Sequence, residues 1–346
     1  MTAPGNVGRI GCLGFGYAVP ATSRDNDDPV FDWIKKHGGG AGMFTGYTTR
    51  RVLAAGETIE AYMVQAAQTA LSAAKLTVSD VDVLLGYTSI SAYQSPNSLV
   101  LVHQLLGLAP TCWPIPVHAD FSNYSACLLF ADALIAAGRA RNVLIVCGAN
   151  WSRFVSYQTP ECISAGDGAG AVVVGATSDV TRFRVADYAV TEQSASYGAM
   201  TMQADVVSSA PPWADRAPFA GGSFWDTSTY TQPYFRLSAA GGAVFSQFGV
   251  KAPPALALHL LQRNGVDPAD VTVIPYQASA GLLDARRPAI GAAALLDTLS
   301  QFANMTSANL PVNAAYFADQ IQTDYVVLLG LGPDPHASAL LLRRNG

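Results

Sequence analysis

Six short apolar runs constrain this chain more than any other feature. They are VDVLLGYTS (81–89), NVLIVCG (142–148), GAVVVGA (170–176), VTVIP (271–275), DYVVLLG (324–330) and ASALLLRR (337–344). Each is far shorter than the ~20 apolar residues a membrane-spanning helix needs. Most are bounded by Gly, Asp, Pro or Ser, so they read as buried strands. Between them lie stretches of helical period. Over 58–75, Ile59, Tyr62, Met63, Ala66, Ala67, Ala70, Leu71 and Ala74 fall on one face. Ser98–Leu106 reads as a helix stopped by Gly107, and a small-residue helix runs from about Cys127 to Ala137. Residues 238–263 and 284–300 are also helical in pattern. Strands that alternate with helices imply an α/β protein with a mostly parallel sheet covered on both faces. The pattern runs twice, which predicts two similar halves, 1–178 and 179–346.

Charge and cysteine usage narrow the function. Only 13% of the 346 residues are charged and half are hydrophobic, against about a quarter charged in a typical soluble domain. That balance suits a multilayered core or an extensive interface. The net charge is −5 and there is no basic run, which argues against nucleic-acid binding. The opening MTAPGNVGRIGCLGFG lacks the basic and apolar regions of a signal peptide, and no membrane span is expected. Five widely spaced cysteines and no CxxC pair favour free thiols in a reducing cytoplasm and disfavour a structural zinc site. SAGDGAGAVVVG (164–175) leads into a strand rather than a helix, so it is not a phosphate loop. No metal or cofactor is expected.

Residues 205–235 are rich in Pro, Gly, Ser and aromatics and have no period. Such a segment reads as a covering loop, with Trp225 over a pocket, or as an aromatic contact between subunits.

Three segments carry possible chemistry. In YSACLLFADAL (124–134), Cys127 follows a strand and opens the predicted helix, where unpaired N–H groups would favour a thiolate. A buried inert thiol is the alternative. VTVIP ends abruptly in Tyr276 and Gln277, and strand ends are where α/β proteins place their sites. FANMTSANLP (302–311) brings a polar small-residue stretch with Asn304.

Taken together, these segments resemble the ketoacyl-ACP synthase III branch of the thiolase-like superfamily. TGYTTRRVLAAGET (45–58) is similar to that family's TGI-x-TR-x-x-A-x-x-x-ET. YSACLLFADAL is similar to AAAC-x-x-F-x-x-AL, GDGAGA (166–171) to GDGAGA, VIPYQAS to VPHQAN, and NMTSANLP to NTSAASVP. GLG (330–332) and SALLLRR (338–344) stand at the terminal GGG turn and SAL strand. The resemblance implies a five-layer αβαβα fold of two related halves, usually a homodimer. It implies that Cys127 takes an acyl group from a thioester, with the backbone N–H groups of Cys127 and Leu331 holding the oxyanion. It gives Tyr276 and Asn304 the places of the histidine and asparagine that orient the second substrate.

Tyr276 is the main departure. A phenol near pKa 10 donates a hydrogen bond but is a poor base at neutrality. Phe44 replaces the arginine of the family's adenine clamp, and KKHGGGAGM displaces Trp33, so the donor is either coenzyme A bound differently or a carrier protein. His118 and His336 are the histidines placed to line the substrate pocket. The sequence thus leaves two main readings: a cytoplasmic acyltransferase of secondary metabolism or of fatty acid or polyketide synthesis, passing an acyl group to a small-molecule acceptor, or a degenerate partner subunit of a heteromeric condensing enzyme. A small-molecule binding protein is the third.

Overall fold

A computed structural model describes residues 9–38, 42–93, 95–207, 230–238 and 241–346. In chain order the strands of the first half are β1 (Arg9–Ala18), β2 (Ser23–Asp25), β3 (Thr49–Arg51), β4 (Val83–Thr88), β5 (Trp113–Pro116), β6 (Asn142–Ala149) and β7 (Gly168–Thr177). Those of the second are β8 (Phe183–Glu192), β9 (Met200–Val207), β10 (Tyr230–Leu237), β11 (Val271–Pro275), β12 (Ala294–Leu295), β13 (Tyr325–Leu331) and β14 (His336–Arg344). The helices are α1 (Asp32–His37), α2 (Ile59–Ala74), α3 (Leu99–Leu106), α4 (Asn123–Ala136), α5 (Gly241–Arg263), α6 (Ala280–Ile290), α7 (Leu299–Phe302) and α8 (Asn309–Tyr316).

Two five-stranded sheets form the frame, in the orders β1-β7-β6-β4-β5 and β8-β14-β13-β11-β12. In the first, β1–β7 and β7–β6 are antiparallel while β6–β4 and β4–β5 are parallel. In the second, β8–β14 and β14–β13 are antiparallel while β13–β11 and β11–β12 are parallel. The two halves share one strand order and one set of directions, which makes them related copies of a single unit.

Residue alternation builds the layers. Along β6, Val143, Ile145 and Cys147 face a core shared with α4, whereas Leu144 and Val146 face α2 and α3. Along β13, Val326 and Leu328 join the α4 core, and Val327 and Leu329 join the core under α5. Both faces of each strand are therefore buried, which explains why the runs are continuously apolar. α4 and α8 pack against strands of both sheets and form the middle layer. The order is helix, sheet, helix, sheet, helix. α2 approaches β1 closely: a Cβ on Gly16 would lie 2.3 Å from the Ala66 carbonyl oxygen, and one on Gly14 2.4 Å from the Ala74 nitrogen. The alanine stripe of α2 and these two glycines answer each other.

Three expectations need correction. α4 starts at Asn123, four residues ahead of Cys127. Residues 284–300 are not one helix: Gly291, at φ 69°, ends α6, and β12 and α7 follow. Part of 205–235 is regular, because β9 and β10 pair as an antiparallel ribbon through Tyr230↔Val207 to Leu237↔Met200. Trp225 and the rest of that segment lie outside the described residues.

Candidate functional site

Tyr276 leaves the end of β11 with its backbone tied on both sides. Its N–H donates to the Leu329 carbonyl at 2.7 Å, and its carbonyl accepts from Arg286 Nη1 at 3.0 Å. The side chain is 2% exposed. Asn304 is fixed as firmly. Its Oδ1 accepts from the Thr306 N–H at 2.9 Å and from Asn309 Nδ2 at 2.8 Å. Its carbonyl accepts from Trp151 Nε1 at 2.6 Å and from the Gly166 N–H at 3.1 Å. With Oδ1 occupied, the Asn304 amide nitrogen is the group left to donate toward the Tyr276 hydroxyl. Burial pushes the Tyr276 phenol well up, and the hydrogen bond with Asn304 pulls it part of the way back. A phenol oxygen that accepts from Asn304 keeps its own proton for a ligand.

Both residues line a cavity of about 280 Å³. Its walls are largely apolar, with Trp151, Met200, Phe235, Phe245 and Leu282, and Glu161 at one side. Across from Tyr276 stands Phe121, whose ring stacks on the tyrosine at 5.5 Å and 6°. Phe121 occupies the sharp turn that enters α4, with φ 70°, following Asp120 at φ 30°. Non-glycine residues at such angles carry strain, and such strain gathers at functional turns. Asn123 holds the turn: its Oδ1 accepts from the Phe121 N–H at 2.9 Å and its Nδ2 donates to the Val117 carbonyl at 2.7 Å.

Cys127 is elsewhere. It lies in the second turn of α4, fully buried among Tyr124, Leu128, Ile145 and Leu328, and lines neither this cavity nor the larger one beside it. Desolvation, and then a hydrogen bond with Cys147, push its thiol well above the ordinary range. A thiol in the second turn has lost the free amides that the sequence reading assigned to it, and burial keeps it neutral.

Leu331, the expected oxyanion donor, is buried beside Tyr276 and Leu282, and the turn residue that lines the cavity is Pro333, which has no N–H. Phe44 does not reach the cavity. It packs edge-on to Phe31 at 5.6 Å and under the Arg50 guanidinium at 5.7 Å. His118 and His336 line a different cavity, of about 390 Å³, on the other side of the turn.

The structure thus brings Tyr276 and Asn304, both singled out from the sequence, to one cavity and adds Phe121, which the sequence reading did not name. One signal was present. If AAAC-x-x-F-x-x-AL is moved six residues upstream, Tyr124 meets its phenylalanine, Cys127 its alanine and Leu128 its leucine. Phe121 then meets its cysteine, which is the residue the structure turns toward Tyr276 and Asn304.

Comparison with known proteins agrees with this frame. Residues 118–194 match the family model for 3-oxoacyl-[acyl-carrier-protein (ACP)] synthase III. A β-ketoacyl-[acyl-carrier-protein] synthase III of Neisseria gonorrhoeae is 32% identical over 171 residues, covering 47% of this chain and 51% of the relative. The chain therefore spans about half the length of that relative. A synthase III of Roseobacter denitrificans is 28% identical over 319 residues, 90% of each chain. Among solved structures, the priming β-ketosynthase of the R1128 polyketide pathway superposes with TM-score 0.79 at 20% identity, covering 98% of both chains. The synthase III of Pseudomonas aeruginosa gives 0.78 at 22% identity, covering 97% of this chain and 98% of its own. With matching halves, a five-layer frame and a site at the end of β11, this chain has the thiolase-like fold of those solved structures and is similar to the ketoacyl-ACP synthase III family, most directly over residues 118–194.

Proposed function

We propose that the chain is a synthase III-type acyltransferase that binds an acyl thioester in the Phe121–Tyr276–Asn304 cavity and hands the acyl group to a small-molecule acceptor without a cysteinyl intermediate. The observation that carries this is that Tyr276 and Asn304 line one largely apolar cavity, with the Asn304 Oδ1 already engaged and its amide nitrogen left to donate. The asparagine amide satisfies the phenol oxygen and leaves one O–H to donate to the thioester carbonyl. That donor stabilises negative charge on the carbonyl oxygen as the acceptor attacks. Phe121 fills the place opposite, where a nucleophile would have to sit, and offers the acyl chain an aromatic face.

The donor is coenzyme A or a carrier protein, and the pathway is fatty acid, polyketide or other secondary metabolism in the cytoplasm. A homodimer suits the fold, because β5 leaves the first sheet with an open edge carrying Trp113, 67% exposed.

The test is calorimetric titration with acyl-CoA and acyl-carrier-protein thioesters of graded length. Tyr276→Phe should weaken binding by about tenfold, the equivalent of one hydrogen bond of about 1–1.5 kcal/mol. No binding of any donor to the natural protein rules the reading out. A second reading, a degenerate partner subunit of a heteromeric condensing enzyme, draws on Phe121, Pro333 and the buried Cys127 together. It predicts thioester binding with no turnover, and copurification with a homologue that carries a cysteine at this turn.

A further inference from the structure

The turn that enters α4 and the turn between β13 and β14 form a wall between two cavities. Phe121 and Pro333 face the Tyr276 side, and their neighbours Ser122 and Asp334 face the other. On that other side Ser122 Oγ lies 2.8 Å from His336 Nε2, and His336 Nδ1 is hydrogen-bonded to Asp334 Oδ1. Ser122 Oγ is also 2.8 Å from Ser338 Oγ. A neutral imidazole can satisfy all three contacts. Nδ1–H donates to the carboxylate, Nε2 accepts from Ser122, and Ser122 accepts from Ser338.

We propose that Ser122 is an acyl-accepting nucleophile, with His336 as its base and Asp334 as the positioning residue that holds the imidazole. Three further observations support a site here. Ser122 is the N-cap residue of α4, yet its hydroxyl makes no capping bond and is turned to His336 instead. The first-turn amides of the 14-residue α4 follow Ser122 directly in the chain and have no intrahelical acceptor, so they are the donors nearest in sequence for an oxyanion. Ser125, 3% exposed, is one of the residues around the same cavity, and its buried hydroxyl has no partner among the described residues. The cavity, about 390 Å³, has an apolar part formed by Leu129, Val190, Ala339 and Leu340, beside the ionisable His118, Asp120 and Glu192, and that apolar part fits the acyl chain of an ester or thioester. Glu192, Asp334 and His336 also bring possible ligand atoms within 4.8 Å of one another, but both ring nitrogens of His336 are already engaged.

In the step itself, Ser122 Oγ attacks the acyl carbonyl carbon and its proton passes to His336 Nε2. The tetrahedral oxyanion collapses, the bond to the thiolate or alkoxide leaving group breaks, and that group takes the proton from Nε2. Water or an alcohol then gives its proton to Nε2 and attacks the acyl carbon. Ser122 departs and recovers the proton, so the enzyme is unchanged.

The experiment treats the intact protein with an alkyl fluorophosphonate, which traps an activated serine with loss of fluoride, and maps the adduct by peptide mass. One adduct is expected, on Ser122, absent in Ser122→Ala and formed at least about 100-fold more slowly in His336→Gln. Asp334→Asn should slow labelling without lowering the thermal transition. Asp334→Glu, which keeps a carboxylate for the imidazole, should recover labelling toward the natural rate. No adduct on the natural protein, or one mapped away from Ser122, overturns the proposal. The mapped adduct decides the matter even if Ser122→Ala fails to fold. This site shares no lining residue with the Tyr276 cavity, so labelling and thioester binding stand or fall separately.

Discussion

Phe121→Cys is the substitution that bears most directly on which residue faces the thioester. It puts a thiol on the turn ahead of α4, against Tyr276 and Asn304. The backbone there already sits at φ 70° with a non-glycine residue, so the change adds no new strain of that kind. The half-buried ring and its stack on Tyr276 are lost. Aromatic pairing contributes about 0.5–1.5 kcal/mol, and with the lost packing the total cost should be about 1–3 kcal/mol. The gain is reactivity. Thiols at helix N-termini have pKa values of about 3.5–7.5, so about half or more of the introduced thiol is thiolate at pH 7.5. Burial raises the Cys127 thiol well above its ordinary range and keeps it neutral. The introduced thiol should therefore acylate much faster than Cys127 on charge alone, before access is counted. The assay is intact mass after incubation with an acyl-CoA panel, followed by peptide mapping. An adduct on Cys127, or none on the introduced thiol in a protein that still binds the donor, refutes the placement of the site.

Further outcomes follow from the same geometry. All five cysteines are free and buried, so a thiol reagent should find none in the native protein at pH 8 and all five after unfolding; a reactive native thiol contradicts this. Arg286→Leu should destabilise by about 1–3 kcal/mol, read from denaturant midpoints, because it orphans the buried carbonyls of Tyr276 and Gly249; an unchanged midpoint means those bonds do not matter. The His118–Asp120 pair, 2.9 Å apart and partly exposed, raises the pKa of His118 and lowers that of Asp120, each mainly through their mutual hydrogen bond. The histidine's share is fully present below its unfolded pKa of about 6.5 and is lost as pH rises through the raised value. The aspartate's is present above about 3.9 and is lost as pH falls through the lowered one. Asp120→Asn should thus lower the melting temperature at pH 5.5 by the equivalent of less than about 1 kcal/mol, and have little effect at pH 8.5; a larger effect at pH 8.5 contradicts the pairing.

The frame was legible because both sheets are covered on both faces. Runs such as VVLLG have no polar side to disguise them, and α2 announces itself by an alanine stripe matched to Gly14 and Gly16. Tyr276 and Asn304 were legible because each sits at a strand end or in a polar stretch that breaks an apolar pattern. The start of α4 was not. Its first two turns lie between the two sheets, where Asn123, Tyr124, Ser125, Cys127 and Leu128 are all buried, and a helix buried nearly all round has no amphipathic phase from which to read its beginning. The cysteine then set the register by chemical familiarity. Phe130, which that register treats as an interior aromatic, is 51% exposed. The Ser122–His336–Asp334 arrangement was also beyond sequence, since its members come from two turns more than two hundred residues apart and only the packing of α4 against β14 joins them.

The account turns on where the acyl carbonyl rests, and a crystal structure with a non-hydrolysable acyl-CoA analogue measures that position. The carbonyl oxygen should accept from the Tyr276 hydroxyl, with the chain against Phe121 and Cys127 still enclosed by Tyr124, Leu128 and Leu328. An acyl group lodged beside Cys127, or one bound with the Tyr276–Asn304 pair left facing an empty cavity, would contradict it.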